Sequence, residues 1–337
     1  MKKSTLSIVA LALFTLFSLA VNDADAAPRF KKRVKHEDEG IFRFGAGYLS
    51  GDTTYRIDLA DTTTGEAVTS ELKFPLQTAL LNMELGYISR DSIGRDVFDI
   101  QLRYGFNVGT ASGKLEDSDW LNDTVDIALV GTANPGKDIY SESTIDLHAK
   151  TIDLRMSHTF WTAERFGIGP LAGCLYQSYR FSARDTHQYG YGAYAATFSG
   201  ALSGEVLTYD VTYTVPYLGI HTDLPAGKSF RFLLDLGYSP WAEGKDEDDH
   251  LLRTKKAKAK TSGSAYLASL GAQIDMEDGN AVQLRGQYLK IDTSGKQTQT
   301  WYGNTAGEPP AGTVLSDIND KITSEQISAM LLFSRRF

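Results

Sequence analysis

From Phe98 to Val108 the even positions read Phe98, Ile100, Leu102, Tyr104, Phe106, Val108, and the odd ones Asp99, Gln101, Arg103, Gly105, Asn107. A chain that is apolar at every second residue satisfies both faces only as a strand with one oily and one wet side. The pattern recurs. Phe232, Leu234, Leu236 and Tyr238 stand against Arg231, Asp235 and Ser239, and Leu207 through Tyr217 alternate with Thr208, Asp210, Thr212 and Thr214. Val282, Leu284 and Tyr288 alternate with Gln283, Arg285 and Gln287, which places charged groups on an inner side.

The N-terminus sets the compartment. Two lysines, an apolar stretch from Leu6 to Val21 and the small-x-small pattern Ala24-Asp25-Ala26 read as a secretory signal cut after Ala26, too short for a retained anchor. Residues 1–26 are thus a signal peptide and 27–40 a charged, unpatterned periplasmic lead-in, leaving 41–337 for the fold. With one cysteine, Cys174, the exported part of the chain has no internal disulfide, and thiol or cysteine-metal chemistry has little support. Cys174 reads as a small apolar packing residue. A net charge of −8 argues against a general nucleic-acid-binding surface.

Such strands build either a soluble sandwich, with oily faces turned together, or a membrane barrel. Tyrosines placed mostly near strand ends, as in an interfacial girdle, favour the barrel, as does the terminal run in which Ile327, Ala329, Leu331 and Phe333 share one face and Phe337 ends the chain. A closed barrel satisfies every backbone hydrogen bond internally, which the bilayer requires. Ten strands are expected, roughly 41–50, 70–87, 96–109, 145–157, 166–182, 205–221, 229–242, 261–275, 280–292 and 323–337. The expected fold is therefore all-β, a ten-stranded antiparallel transmembrane β-barrel with short periplasmic turns and five long extracellular loops following the odd strands.

That parity puts two acidic clusters on one rim. Asp117 and Asp119 follow strand three and Asp248 and His250 follow strand seven, nearly opposite; residues two apart on extended chain project from one face. A carboxylate fixes the orientation and charge of a neighbouring imidazole base, and a facing acidic pair can hold a water between them, so the four could activate water for attack on an amide. Either cluster alone reads as a hydrated loop or a site for divalent cations bridging lipopolysaccharide. Matched spacing on matched loops is what points to catalysis.

These motifs, Asp117-Ser-Asp119-Trp120-Leu-Asn-Asp123 and Ser239-Pro-Trp241 with Asp246-Glu-Asp248-Asp-His250, resemble the two catalytic loops of the omptins, outer-membrane endoproteases of Gram-negative bacteria. Residues 48–51 (YLSG), 172–184 and 215–220 resemble the family's first, fifth and sixth strands. The resemblance implies Asp248 and His250 as a dyad, Asp117 and Asp119 as the couple positioning a nucleophilic water, and Asp246 in a pocket for basic side chains. It implies no cofactor beyond lipopolysaccharide as a required lipid, with Tyr176, Arg180 and Lys260 as its cluster on the outer wall. One departure stands out: Tyr55 occupies the place of the family's pocket glutamate, which predicts a relaxed or altered preference for basic residues.

The expected partners are polypeptide substrates, lipopolysaccharide and outer-membrane lipid, with no nucleic acid, for a monomer in the outer membrane whose site faces the exterior. Residues 253–260 (RTKKAKAK) read as a tract attracted to lipid phosphates or another anionic partner. No helical His-x-x-x-His metal motif is present, so chelators should act only through lipopolysaccharide packing. A small porin or a non-catalytic adhesin on the same scaffold are the alternatives.

Overall fold

The computed structural model describes residues 39–60, 67–91, 95–121, 136–163, 166–227 and 229–337. The expected signal peptide and all but the end of the lead-in lie outside them. Ten long strands follow one another: β1 (Glu39–Ala60), β2 (Ala67–Pro75 and Gln77–Arg90), β3 (Asp96–Ser112 and Lys114–Trp120), β4 (Ile139–His158 and Phe160–Ala163), β5 (Phe166–Gly190), β6 (Gly200–Pro225), β7 (Phe230–His250), β8 (Lys255–Asp275), β9 (Asn280–Trp301) and β10 (Val314–Arg336). Each pairs antiparallel with its neighbours, and the ring closes where Ile41 meets Arg336 and the β1–β10 ladder runs on to Asp58↔Asn319. Closure leaves no free edge, as a barrel in lipid requires.

In the half nearer the termini, the alternation does what the sequence predicts. Leu102, Leu218, Ile220, Leu236, Leu284, Ile327 and Leu331 face outward, while Gln101, Arg103, Arg155, His221, Gln283 and Arg285 are buried inside. The enclosed charges are paired. Glu84 accepts from Arg43 at 3.3 Å and is also ion-paired with Arg285, and Asp235 lies 2.7 Å from Arg155 and 2.6 Å from His221.

The other half reverses this chemistry. On β6 the odd residues point inward throughout, but they change from His221 and Asp223 to Tyr217, Val215, Tyr213, Val211, Tyr209 and Leu207, all buried. Outside, Leu218 and Ile220 give way to Thr214, Thr212, Asp210 and Thr208. Tyr55, Phe74, Phe181, Tyr209 and Tyr213 fill the lumen there, with Phe74 stacked on Tyr209 at 4.4 Å and tilted against Phe181 at 4.8 Å. A porin's open channel is not what these strands enclose.

Three expectations are thereby corrected. The oily face of 207–217 is a core face, because this stretch of β6 stands beyond the apolar belt, where inside is the only dry place. Tyr55, Tyr179, Tyr209, Tyr213 and Tyr217 are interior rather than girdle residues for the same reason. Cys174 points outward, exposed, and packs in no interior.

The expected strands are all present but run further at the end away from the termini. β7 continues to His250 instead of ending near residue 242, and only residues 251–254 connect it to β8. Much of the length expected in loops is strand, held by ladders that continue through Asp248↔Tyr209 and Asp248↔Ala257.

Candidate active site

Two strands carry the acidic residues, and local backbone geometry decides which way they point. On β7, Asp235 faces the lumen, and strict alternation from there would turn Asp246, Asp248 and His250 outward. Between Ser239 and Ala242 the strand holds one residue more than its partner on β8, where Ala265 and Gly263 stand opposite. Pro240, which has no N–H to give, and the 60% exposed Trp241 both face outward at this bulge. Above it Asp246 and Asp248 are buried inside. On β3, register places Asp117 beside Leu72 and Asp119 beside Ser70 of β2, whose Leu72 is beside Tyr55 of β1.

His250 Nε2 lies 2.7 Å from Asp248 Oδ2. The Tyr55 hydroxyl donates to the same Asp248 oxygen from across the lumen, and the Tyr55 ring stacks on Tyr209 at 5.3 Å. Burial alone would push the Asp248 carboxyl up, but the His250 charge and the two donors hold it below the usual carboxylate value. Burial lowers the His250 pKa from its ordinary value, against the attraction and hydrogen bond of Asp248. With Nε2–H committed to Asp248, Nδ1 keeps the lone pair of a base.

Asp117 and Asp119 are the counterpart. Burial, then the like charges of Asp119 and Asp248, raise Asp117 well above the ordinary value. Burial raises Asp119 too, against a hydrogen bond from Ser70 and the charges of Arg253 and His250. Asp117 Oδ1 and Asp248 Oδ1, on different walls, are both buried without a hydrogen-bond partner. Orphaned acceptors of this kind are rare and call for a donor such as water or substrate.

All four residues of the predicted constellation therefore share one electrostatic space. Asp246 lies one in-facing position below Asp248, accepting from the Tyr209 hydroxyl at 3.2 Å and the Ala259 N–H at 2.9 Å. Tyr55 is in the site, but as a donor to the dyad. Tyr176, Arg180 and Lys260 lie on the outer wall, the first two on β5 and Lys260 three strands away on β8. Arg180 is held by Asp210 at 2.6 Å and Lys260 sits 3.7 Å from Glu243.

The basic tract is split by the pleat. Lys256 and Lys258 face outward and are each 2.8 Å from Glu247 on the neighbouring strand. Lys255 faces inward, level with His250, and burial together with Arg253 lowers its pKa to about 8. Arg253 is anchored above by Glu308, which also accepts from Trp301 Nε1 at 2.8 Å. The K-A-K-A-K alternation could have separated these roles. Nothing near the acidic motifs could have announced Ser70, Glu308 or Asp320, which reach the site only through strand pairing.

The sequence profile of the omptin family matches residues 41–312. The chain is 26% identical over 330 residues to the plasminogen activator of Yersinia pestis, covering 95% of this chain and 96% of that protein. Its fold is similar to that of the outer membrane protease OmpT from Escherichia coli, with a TM-score of 0.70 at 17% identity, covering 92% of this chain and 99% of that one.

Proposed function

The chain belongs to the omptin family of outer-membrane proteases, and from that premise we propose that it is an endopeptidase cutting beside basic residues with a water activated by Asp248 and His250. The observation that carries this reading is the pair of orphaned carboxylate oxygens, Asp117 Oδ1 and Asp248 Oδ1, in a site where Asp248 orients the His250 imidazole. His250 takes the proton of a water held against the Asp117–Asp119 couple, and the resulting hydroxide attacks the peptide carbonyl. Asp248 stabilises the imidazolium that forms, and Tyr55 keeps Asp248 in place. The imidazolium then gives its proton to the leaving amine.

In this reading the site faces the exterior, at the end away from the termini. Tyr176, Arg180 and Lys260 on the outer wall take lipopolysaccharide, whose phosphates would compete with Asp210 for Arg180.

The test is refolding with lipopolysaccharide and assay on a quenched peptide containing paired basic residues. His250→Ala and Asp117→Ala should each lower kcat/KM by about 10²- to 10⁴-fold while circular dichroism shows the barrel intact. Wild type and both variants cutting alike would sink the proposal.

A further inference from the structure

Residues 253–260 carry five cations, and four of them are matched. Arg253 is ion-paired with Glu308, Lys256 and Lys258 with Glu247, and Lys260 with Glu243. Lys255 is the fifth. It is 5% exposed, yet among the described residues no carboxylate oxygen lies within 4 Å of its ammonium and no aromatic ring takes it as a cation–π partner.

The hairpin fixes where this cation sits. Residues 251–254 turn β7 onto β8, with Thr254 left-handed at φ 46° and its carbonyl accepting from the Tyr302 N–H at 2.9 Å. His250 and Lys255 form the first pair of the ladder, directly opposite each other and both inward, so their Cβ atoms stand about 4.5–5.5 Å apart. On its other side Lys255 is level with the buried Trp301 of β9, whose indole is held by Glu308 at 2.8 Å. The lysine thus stands between the dyad histidine and a fixed indole. Its charge acts on Asp117, Asp119, Asp248 and His250 alike, second to the burial that dominates each of them.

A buried ammonium without a counterion is costly. The same lumen holds two carboxylate oxygens without partners, Asp117 Oδ1 and Asp248 Oδ1, and neither is close enough to pair with Lys255. A donor and two acceptors left apart in this way call for guests between them: a water that donates to the acids and a substrate oxygen that accepts from the lysine. Position selects which oxygen. A water that loses its proton to His250 lies about 3–3.5 Å from the carbon it attacks, so the carbonyl oxygen on that carbon is the acceptor held within reach of a group opposite His250.

Resting on the protease reading, we propose that Lys255 is a further catalytic residue, whose ammonium receives the carbonyl oxygen of the cleaved bond and stabilises the negative charge that develops on it. As the water oxygen bonds to carbon and His250 takes the water proton, the carbonyl π pair moves onto its oxygen, which accepts from Lys255. The lysine keeps its proton throughout. When the C–N bond breaks, the pair returns to form C=O and the amine leaves with the proton from His250. Burial, then the charge of Arg253, bring Lys255 down to about 8, so at pH 7 it is still largely charged. In a dry site such a charge acts more strongly on an oxyanion than it would in water. The same charge disfavours the imidazolium, which Asp248 offsets.

The experiment uses the full chain refolded with lipopolysaccharide and the quenched peptide. Lys255→Met keeps the stem and removes the charge; kcat should fall about 10²- to 10³-fold with KM little changed. The thermal midpoint should not fall, because an unpaired buried charge is lost. Lys255→Cys, made in a Cys174→Ser chain and alkylated with 2-bromoethylamine before refolding, rebuilds the ammonium on a thioether stem and should raise kcat at least about 10-fold over the unalkylated protein. Lys255→Met with the wild-type kcat, or with a loss confined to KM, overturns the role of Lys255 and leaves the protease reading standing. So does a loss of kcat that alkylation does not restore. Wild type that cuts nothing overturns the protease reading and the role of Lys255 with it.

Discussion

The two halves of this barrel follow opposite rules on the same ten strands. Near the termini, leucines and isoleucines face outward and a ladder of arginines, carboxylates and glutamines fills the lumen. Beyond, tyrosines and phenylalanines fill the lumen while threonines, lysines and acids face outward. β6 crosses from one regime to the other between Tyr217 and Leu218 without changing which residues point in. The pleat is blind to solvent, and what surrounds the wall decides which side is dry. Where lipid is outside, apolar side chains go there; where water is outside, they go inside and build a core like that of a soluble protein. The site benefits from the second arrangement, because carboxylates on a dry, aromatic floor have the perturbed pKa values that proton transfer needs.

The comparison breaks most visibly at the aromatic floor. Phe181 is fully buried, so Phe181→Ala should cost about 3–5 kcal/mol, read from the urea midpoint of the refolded protein. Leu331→Ala, at 59% exposure on the apolar belt, should cost much less. Equal losses would mean that the upper half has no core of its own.

A single strand sharpens the same contrast. Ile220→Lys on the belt should destabilise by about 2–4 kcal/mol. Thr214→Lys, six residues along on the same outward face of β6, should stay within about 0.5 kcal/mol. Similar costs at both sites in lipid vesicles would place Thr214 inside the bilayer and undo the division.

The smallest effect concerns the strain of the site itself. A carboxyl whose pKa is raised on folding binds its proton more tightly folded than unfolded; its contribution is fully favourable below the ordinary 3.8 and is lost as pH rises through the folded value. Asp117→Asn, which cannot ionise, should therefore abolish cleavage yet gain about 0.5–2 kcal/mol of stability at pH 8. The gain should shrink at pH 5, where the wild-type pair holds more of its protons. A stability loss at pH 8 would contradict the buried, like-charged environment assigned to Asp117.

Much of the fold was legible because a period of two survives any environment. The ten strands, their antiparallel order and the wet interior around Arg103 and Arg285 follow from alternation in the chain. The boundaries were not legible: the GKDEDDH stretch looks like a loop by composition, yet β6 and β8 hold it as strand through His250. The acidic spacing revealed that Asp117 shares a face with Asp119 and Asp248 with His250. It did not reveal Ser70, because nothing local marks a serine on β2 as the neighbour of an acid on β3.

By itself the sequence determined the architecture and the chemistry available, since side-chain period and residue type are written in the chain. Only the tertiary structure decided direction and company. One extra residue between Ser239 and Ala242 turns Asp246, Asp248 and His250 into the lumen, and ring closure sets Tyr55 against Asp248. The physical reason is that strand pairing joins residues by register across the ring, and register is a property of neighbours that no single stretch of chain contains.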